Sequence, residues 1–123
     1  MRQGGWHKYK AQKTEVDGLK FDSKREAKRY MELKLLERAG KIRDLELQPK
    51  FKFEINGVPV LIRSDHFKNG RQASYKADFR YFDIERGRVV IEDSKSSATR
   101  TEAYALRRAL VECLWPEIRV EEV

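Results

Sequence analysis

An aspartate, an intervening loop, and then an acid and a lysine two positions apart form the set in this chain best suited to holding a divalent metal against a phosphate. They are Asp78 and, after the loop, the strand-like run Val89-Val90-Ile91-Glu92-Asp93-Ser94-Lys95. Alternate side chains of a strand share a face, so Asp93 and Lys95 are expected to project together while Glu92 and Ser94 point the other way. If residues 75–82 pair with residues 89–95 as a hairpin, Asp78 comes to lie beside Asp93, and two carboxylates and an ammonium converge. Phosphodiester hydrolysis needs a water activated near neutral pH and a neutralised phosphate, and a divalent ion held by carboxylates supplies both. Mg²⁺ suits such a site because it binds oxygen, keeps several waters and needs only one or two protein carboxylates. Asp78 and Asp93 are the expected ligands, with Mn²⁺ as a substitute ion. Lys95 is expected to orient the attacking water and to stabilise charge developing on the phosphate.

The charge balance fits that reading. With 27 Lys and Arg against 20 Asp and Glu, the formal net charge of +7 favours a polyanionic partner. Charge alone does not choose between DNA, RNA and an anionic membrane surface. No stretch approaches the roughly 18 apolar residues of a spanning helix, and the basic N-terminus lacks the apolar centre of a secretory signal. A soluble, cytoplasmic protein is expected, with no membrane partner and no small-molecule cofactor. The lone Cys113 excludes an intramolecular disulfide and a Cys-rich zinc site, and its apolar helical surroundings predict a buried thiol. His7 and His66 are too few for a His-based metal site and are expected to be exposed.

The elements that must position these residues follow from pattern. At 123 residues the chain fits a single domain, 1–123, with a basic arm over residues 1–13. In that arm Lys8, Lys10 and Lys13 are interleaved with Trp6 and Tyr9, a composition that reads either as a solvated segment or as a clamp on a nucleic-acid backbone. Asp17-Gly18 between two short apolar runs predicts a hairpin. Ser23-Lys24-Arg25-Glu26 matches a capping box, and the helix it opens is expected to run to about Ala39 with Gly40 as its stop. Ala27, Tyr30, Met31, Leu33, Leu35 and Leu36 give that helix a broad buried stripe. Residues 42–48 and 51–55 alternate as strands around Pro49, Asn56-Gly57 turns the chain into residues 58–62, and residues 63–72 read as an exposed connection. Residues 75–82 and 89–95 form the expected hairpin. Thr99 or Thr101 caps a helix to about Leu114, and a final strand covers residues 118–121. The order predicts an α+β (mixed α/β) fold, a curved mixed sheet flanked by helices. Alternation places Asp78 on the face of Lys76 and Arg80, within a basic patch; a second basic group follows, Arg100 and then Arg107 and Arg108 on the last helix, of which Arg100 is placed to meet phosphates near the metal, where the helix N-terminus at Thr101 favours an anion.

The segments Thr14-Glu15-Val16-Asp17-Gly18, Phe21 to Ala27, Leu45-Glu46-Leu47-Gln48-Pro49-Lys50-Phe51 and Tyr75-Lys76-Ala77-Asp78-Phe79, with Asp93-Ser94-Lys95, resemble a phage and prophage family of small nuclease-like proteins. That family lies within the PD-(D/E)xK nuclease superfamily and is related to Holliday junction resolvases. Ala77 stands where the signature's proline would be. The resemblance implies a restriction-endonuclease-like core and a metal-dependent DNA endonuclease acting on branched or structured DNA in phage recombination, replication or packaging. It assigns Asp78 and Asp93 to the metal, Lys95 to catalysis, Glu26 to a first-helix acid completing the metal site, and Gln48 to a glutamine near the scissile phosphate. A domain this small offers only a limited groove, so a junction substrate would require a homodimer with two sites related by a twofold axis. The alternative is a catalytically inactive nucleic-acid-binding module that keeps the nuclease fold.

Overall fold

The computed structural model describes residues 13–94 and 100–123. The chain divides into two compact units, Met1–Lys41 and Ile42–Val123. Lys8, Lys10, His7 and Lys95 lie outside the described residues. Together the elements make a mixed α+β protein, and among the described residues no helix is long and apolar enough to cross a membrane.

The first unit is a hairpin followed by a helix. Strands β1 (Thr14–Val16) and β2 (Leu19–Phe21) pair antiparallel. Their two-residue connection has positive φ at both Asp17 (54°) and Gly18 (76°), the backbone that matches the twist of the flanking strands. Helix α1 spans Lys24–Arg38 and opens where the Glu26 amide donates to Ser23 Oγ at 3.1 Å. It closes in a Schellman motif: Lys41 N–H donates to the Leu36 carbonyl at 2.9 Å and Gly40 N–H to the Glu37 carbonyl at 3.1 Å, with Gly40 at φ 77°.

The buried face of α1 is narrower than its composition suggests. Glu26, Ala27, Tyr30 and Leu33 are buried, whereas Met31 and Leu35 are 47% and 61% exposed and Leu36 is exposed as well. At about 100° per residue, the four buried positions share one arc of about 120°, and Leu35 and Leu36 fall outside it. Tyr30 anchors the helix, its ring 5.1 Å from that of Phe21 and its hydroxyl donating to Asp17 Oδ2 at 3.3 Å.

The second unit is built on a four-stranded sheet in the order β12-β11-β10-β3. β10 (Phe79–Asp83) pairs antiparallel with both β3 (Ile42–Leu47) and β11 (Arg88–Asp93), and β12 (Val120–Glu122) lies parallel to β11. Between β11 and β12 the chain passes through helix α2 (Glu102–Leu114), as a parallel connection requires. Thr101 caps α2 by accepting from the Tyr104 amide at 3.1 Å. Its inward positions are Tyr104 and Val111. Cys113 stands two residues beyond Val111, turned well away from that side, and is exposed, which corrects the expectation of a buried thiol. His66 is exposed as expected.

From β3 and β10 the same two chain segments continue as β4 (Lys50–Lys52) and β9 (Ser74–Lys76), still antiparallel. The stretch 75–82, which reads as one strand, is therefore interrupted at Ala77-Asp78, and its partner is interrupted opposite, at Gln48-Pro49. Proline has no N–H to give to the ladder, and Gln48 adopts φ 52°. Beyond this point three strands exchange partners. β5 (Glu54–Ile55) pairs with β6 (Val58–Pro59), and β7 (Leu61–Ile62) pairs with β8 (Arg71–Gln72), so the last two residues of the expected 63–72 connection belong to a strand. The exchange is a ring of three hydrogen bonds: Phe53 N–H donates to Ala73 (3.0 Å), Ala73 N–H to Val60 (2.7 Å) and Val60 N–H to Phe53 (3.0 Å). Backbone groups that a two-stranded ladder would leave unpaired are satisfied there.

Phe53 plugs this junction with no exposed surface. The core continues through Phe51, Tyr75, Ile91 and Val111, with Trp115 packed edge-on against Phe51 at 5.2 Å. Phe53→Ala is therefore expected to destabilise the protein by about 3–5 kcal/mol, the range for emptying a fully buried aromatic site, as a lowered urea midpoint by circular dichroism.

Candidate functional site

The sheet places Asp78 just ahead of β10 and Asp93 at the end of β11. The ladder sets Phe79 opposite Glu92, and the amide of Asp78 also donates to the Glu92 carbonyl at 3.0 Å. Two consecutive residues thus address one partner, the local count of a β-bulge, a device that re-aims a side chain. On its other side the Asp78 carbonyl accepts from the Gln48 amide at 2.8 Å. Asp78 is tied through its backbone to strands on both sides. Its side chain crosses to the end of β11, where Oδ2 accepts from the Ser94 amide at 2.7 Å. That distance is typical of a hydrogen bond to a charged acceptor.

Asp93 is 1% exposed, and Tyr75, itself buried, donates its hydroxyl to Asp93 Oδ2. The Tyr75 phenol is held far above the ordinary tyrosine range, first by burial, then by its bond to Asp93 and the charge of Asp93, and further by Tyr104 and Asp78. Tyr104 is likewise raised by burial, by its 2.9 Å bond to Glu122 Oε2, and by the charges of Asp93 and Glu122, with Arg108 opposing.

Glu122 was not among the residues expected at the site. The parallel register makes it the direct partner of Asp93 on β12, and Val123 N–H donates to the Asp93 carbonyl at 3.1 Å. Its carboxylate binds Arg100 Nε (3.1 Å) and Arg108 Nη1 (3.1 Å) as well as Tyr104. A cleft of about 360 Å³ opens here, lined by Arg100, Thr101, Tyr104, Arg108, Glu112 and Glu122. The signal that could have found Glu122 is weak: a strand ended one residue early, and a parallel neighbour not distinguished from an antiparallel one. Glu92 faces the other side of β11, fully buried, and takes the Tyr81 hydroxyl.

The remaining expected residues are placed as follows. Lys76 is exposed and Arg80 half-buried, at alternate positions with Asp78, while Tyr75, Ala77, Phe79 and Tyr81 between and around them are buried. Arg107 donates Nε to the Ser74 carbonyl at 3.0 Å. Lys13 and Gln48 are exposed. Glu26 is buried in the first unit, in the first turn of α1. Among the described residues no group of three or more His, Cys, Asp or Glu is arranged to hold a metal.

Residues 6–123 match the family described as "Protein of unknown function (DUF1064)", and the chain belongs to that family. No curated protein and no solved structure matches the chain.

The tyrosines give this site an alkaline limit. A phenol whose folded pKa is raised favours the folded state below the unfolded tyrosine pKa, near 10, and that contribution is lost as pH rises through the folded value. Stability is therefore expected to fall above about pH 10. Tyrosinate absorbance from Tyr75 and Tyr104 should appear together with unfolding measured by circular dichroism. Their ionisation in a still-folded chain would contradict the burial described here.

Proposed function

We propose that this protein is a metal-dependent DNA endonuclease with a restriction-endonuclease-like core, acting on branched or structured DNA in the cytoplasm of a phage- or prophage-bearing host. The observation that carries the reading is the disposition of its two aspartates. Asp78 accepts from the amide of the residue that follows Asp93, and Asp93 itself takes the hydroxyl of Tyr75.

The donor set fits Mg²⁺, a hard ion that needs one or two carboxylates and otherwise keeps water. Asp78 and Asp93 would hold it. When bound, the ion would supply an activated water and neutralise the phosphate. Each carboxylate is oriented by a hydrogen bond, Asp78 by one from a backbone amide and Asp93 by one from a phenol, so neither must be ordered afresh on binding. Lys95, two residues after Asp93, would orient the attacking water and donate to phosphate oxygens as their charge builds. Gln48, whose amide holds the Asp78 carbonyl, would approach the scissile phosphate. Glu26 enters on the family resemblance alone.

The burial of Asp93 behind Tyr75 favours a second reading, a nucleic-acid-binding module without turnover. Its binding would depend strongly on salt and weakly on metal. Incubation with linear, flap and four-way junction DNA, with and without Mg²⁺, separates the two. Asp93→Asn and Lys95→Ala are each expected to abolish Mg²⁺-dependent cleavage while leaving the fold and most DNA affinity intact. Cleavage retained in both variants would sink the assignment.

A further inference from the structure

Charge is segregated within the unit Ile42–Val123. Residues 50–76 carry six cations, Lys50, Lys52, Arg63, Lys68, Arg71 and Lys76, against two acids, Glu54 and Asp65. Residues 77–123 carry eight cations and ten acids. In the acidic part four of the seven arginines are ion-paired. Arg86 pairs with Asp83 (3.0 Å) and Glu121 (2.9 Å), Arg88 with Glu121 (2.8 Å), and Arg100 and Arg108 with Glu122 (3.1 Å each). Among the described residues, none of the six cations of the basic part lies within ion-pair distance of a carboxylate.

The sharpest point of this imbalance is the β4–β9 pair. Lys50 and Lys76 are direct cross-strand partners, and both are exposed. Like charges directly opposite one another destabilise a ladder. Lys52 shares their face, opposite Ser74, while Phe51 and Tyr75 fill the buried face behind them. This face therefore presents three ammonium groups and a serine, with no apolar side chain. Lysine clusters are drawn to anionic lipids as well, but firm docking on a membrane adds inserted apolar groups, and this face has none. A linear phosphodiester chain needs only cations in a row. The row leads to the acidic site, since Asp78 follows Lys76 by two residues with the buried Ala77 between them.

We propose that the solvent face of β4–β9, carrying Lys50, Lys52 and Lys76, is a phosphate-contact surface for a DNA strand that runs on past Asp78. The direction of the path rests on the nuclease reading; the binding rests on the uncompensated charges alone. The repulsion between Lys50 and Lys76 is relieved when a phosphate lies between them, so the arrangement that costs stability in the free protein favours the complex.

The test is fluorescence anisotropy of labelled duplex and single-stranded DNA with the full chain, in EDTA, over a range of salt. The triple change Lys50→Ala, Lys52→Ala, Lys76→Ala is expected to weaken duplex binding about tenfold and to reduce the magnitude of the log–log salt slope by roughly 2–3, near 0.9 per lost phosphate contact. A paired Arg86→Ala, Arg88→Ala change, which removes compensated cations, should stay within about twofold of the unaltered chain. Lys50→Ala alone should leave the melting temperature unchanged or raised, which separates loss of binding from loss of fold. Four results would each overturn the proposal: a salt slope unaltered in the triple variant, an equal loss in the Arg86/Arg88 variant, no DNA binding by the unaltered chain, or lysine-dependent capture on phosphatidylserine vesicles in place of DNA. Binding is read without divalent ions, so failure of the nuclease reading appears only in the cleavage assay and leaves this result separate.

Discussion

Two consecutive carboxylates, Glu92 and Asp93, are buried on a strand inside the sheet, and much of the second unit is arranged around meeting that cost. An ionised carboxylate without partners in an apolar interior is disfavoured by many kcal/mol, so it persists only where donors are supplied. Because adjacent residues of a strand point to opposite faces, one donor cannot serve both. Tyr81 meets Glu92 and Tyr75 meets Asp93. A tyrosine suits the task because its ring belongs to the core while its hydroxyl remains a donor. The two acids thereby recruit the strands that carry those tyrosines, Glu92 through β10 and Asp93 through β9.

The interruption at Gln48-Pro49 and Ala77-Asp78 follows from this requirement. Continuous strands through that point would leave Asp78 in ordinary ladder bonds with a single neighbour. The break frees its amide for Glu92, its carbonyl for Gln48 and its carboxylate for Ser94. Pro49 permits the break, having no N–H to leave unsatisfied, and the positive φ of Gln48 turns the backbone there. The same passage hands the chain from the four-stranded sheet to the three-strand junction at Phe53. An irregularity that looks like a weak strand is thus the device that aims an acid.

Much of this was legible in residue types and much was not. The hairpin at Asp17-Gly18, the Ser23 and Thr101 caps, the stop at Gly40 and the β10–β11 pairing are local, each set by a turn or capping residue whose geometry has few solutions. The exposure of Met31, Leu35 and Leu36 depends instead on how wide an arc the helix buries, which composition does not state. For the site, the alternation that separates Asp93 from Glu92 was readable. Their tyrosine partners come from residues 18 and 11 positions away and needed the topology. Glu122 became a neighbour of Asp93 only because β12 runs parallel to β11 after a helical crossover, a long-range pairing that no local pattern encodes.

The network from Asp93 to the surface explains why acids and cations are sorted along this chain. Asp93 and Glu122 are side by side in a parallel register, and two carboxylates at neighbouring strand positions repel. Two tyrosines screen them, Tyr75 on Asp93 and Tyr104 on Glu122, with ring centres 6.2 Å apart. The residual charge of Glu122 is then met by Arg100 and Arg108 at the rim. Those arginines are consumed in stabilising the acidic end of the sheet, which is why the cleft they line carries balanced charge and offers an anion little. Cations for an outside partner are densest elsewhere, on the part of this unit with the fewest acids to neutralise them, the strands between Lys50 and Lys76.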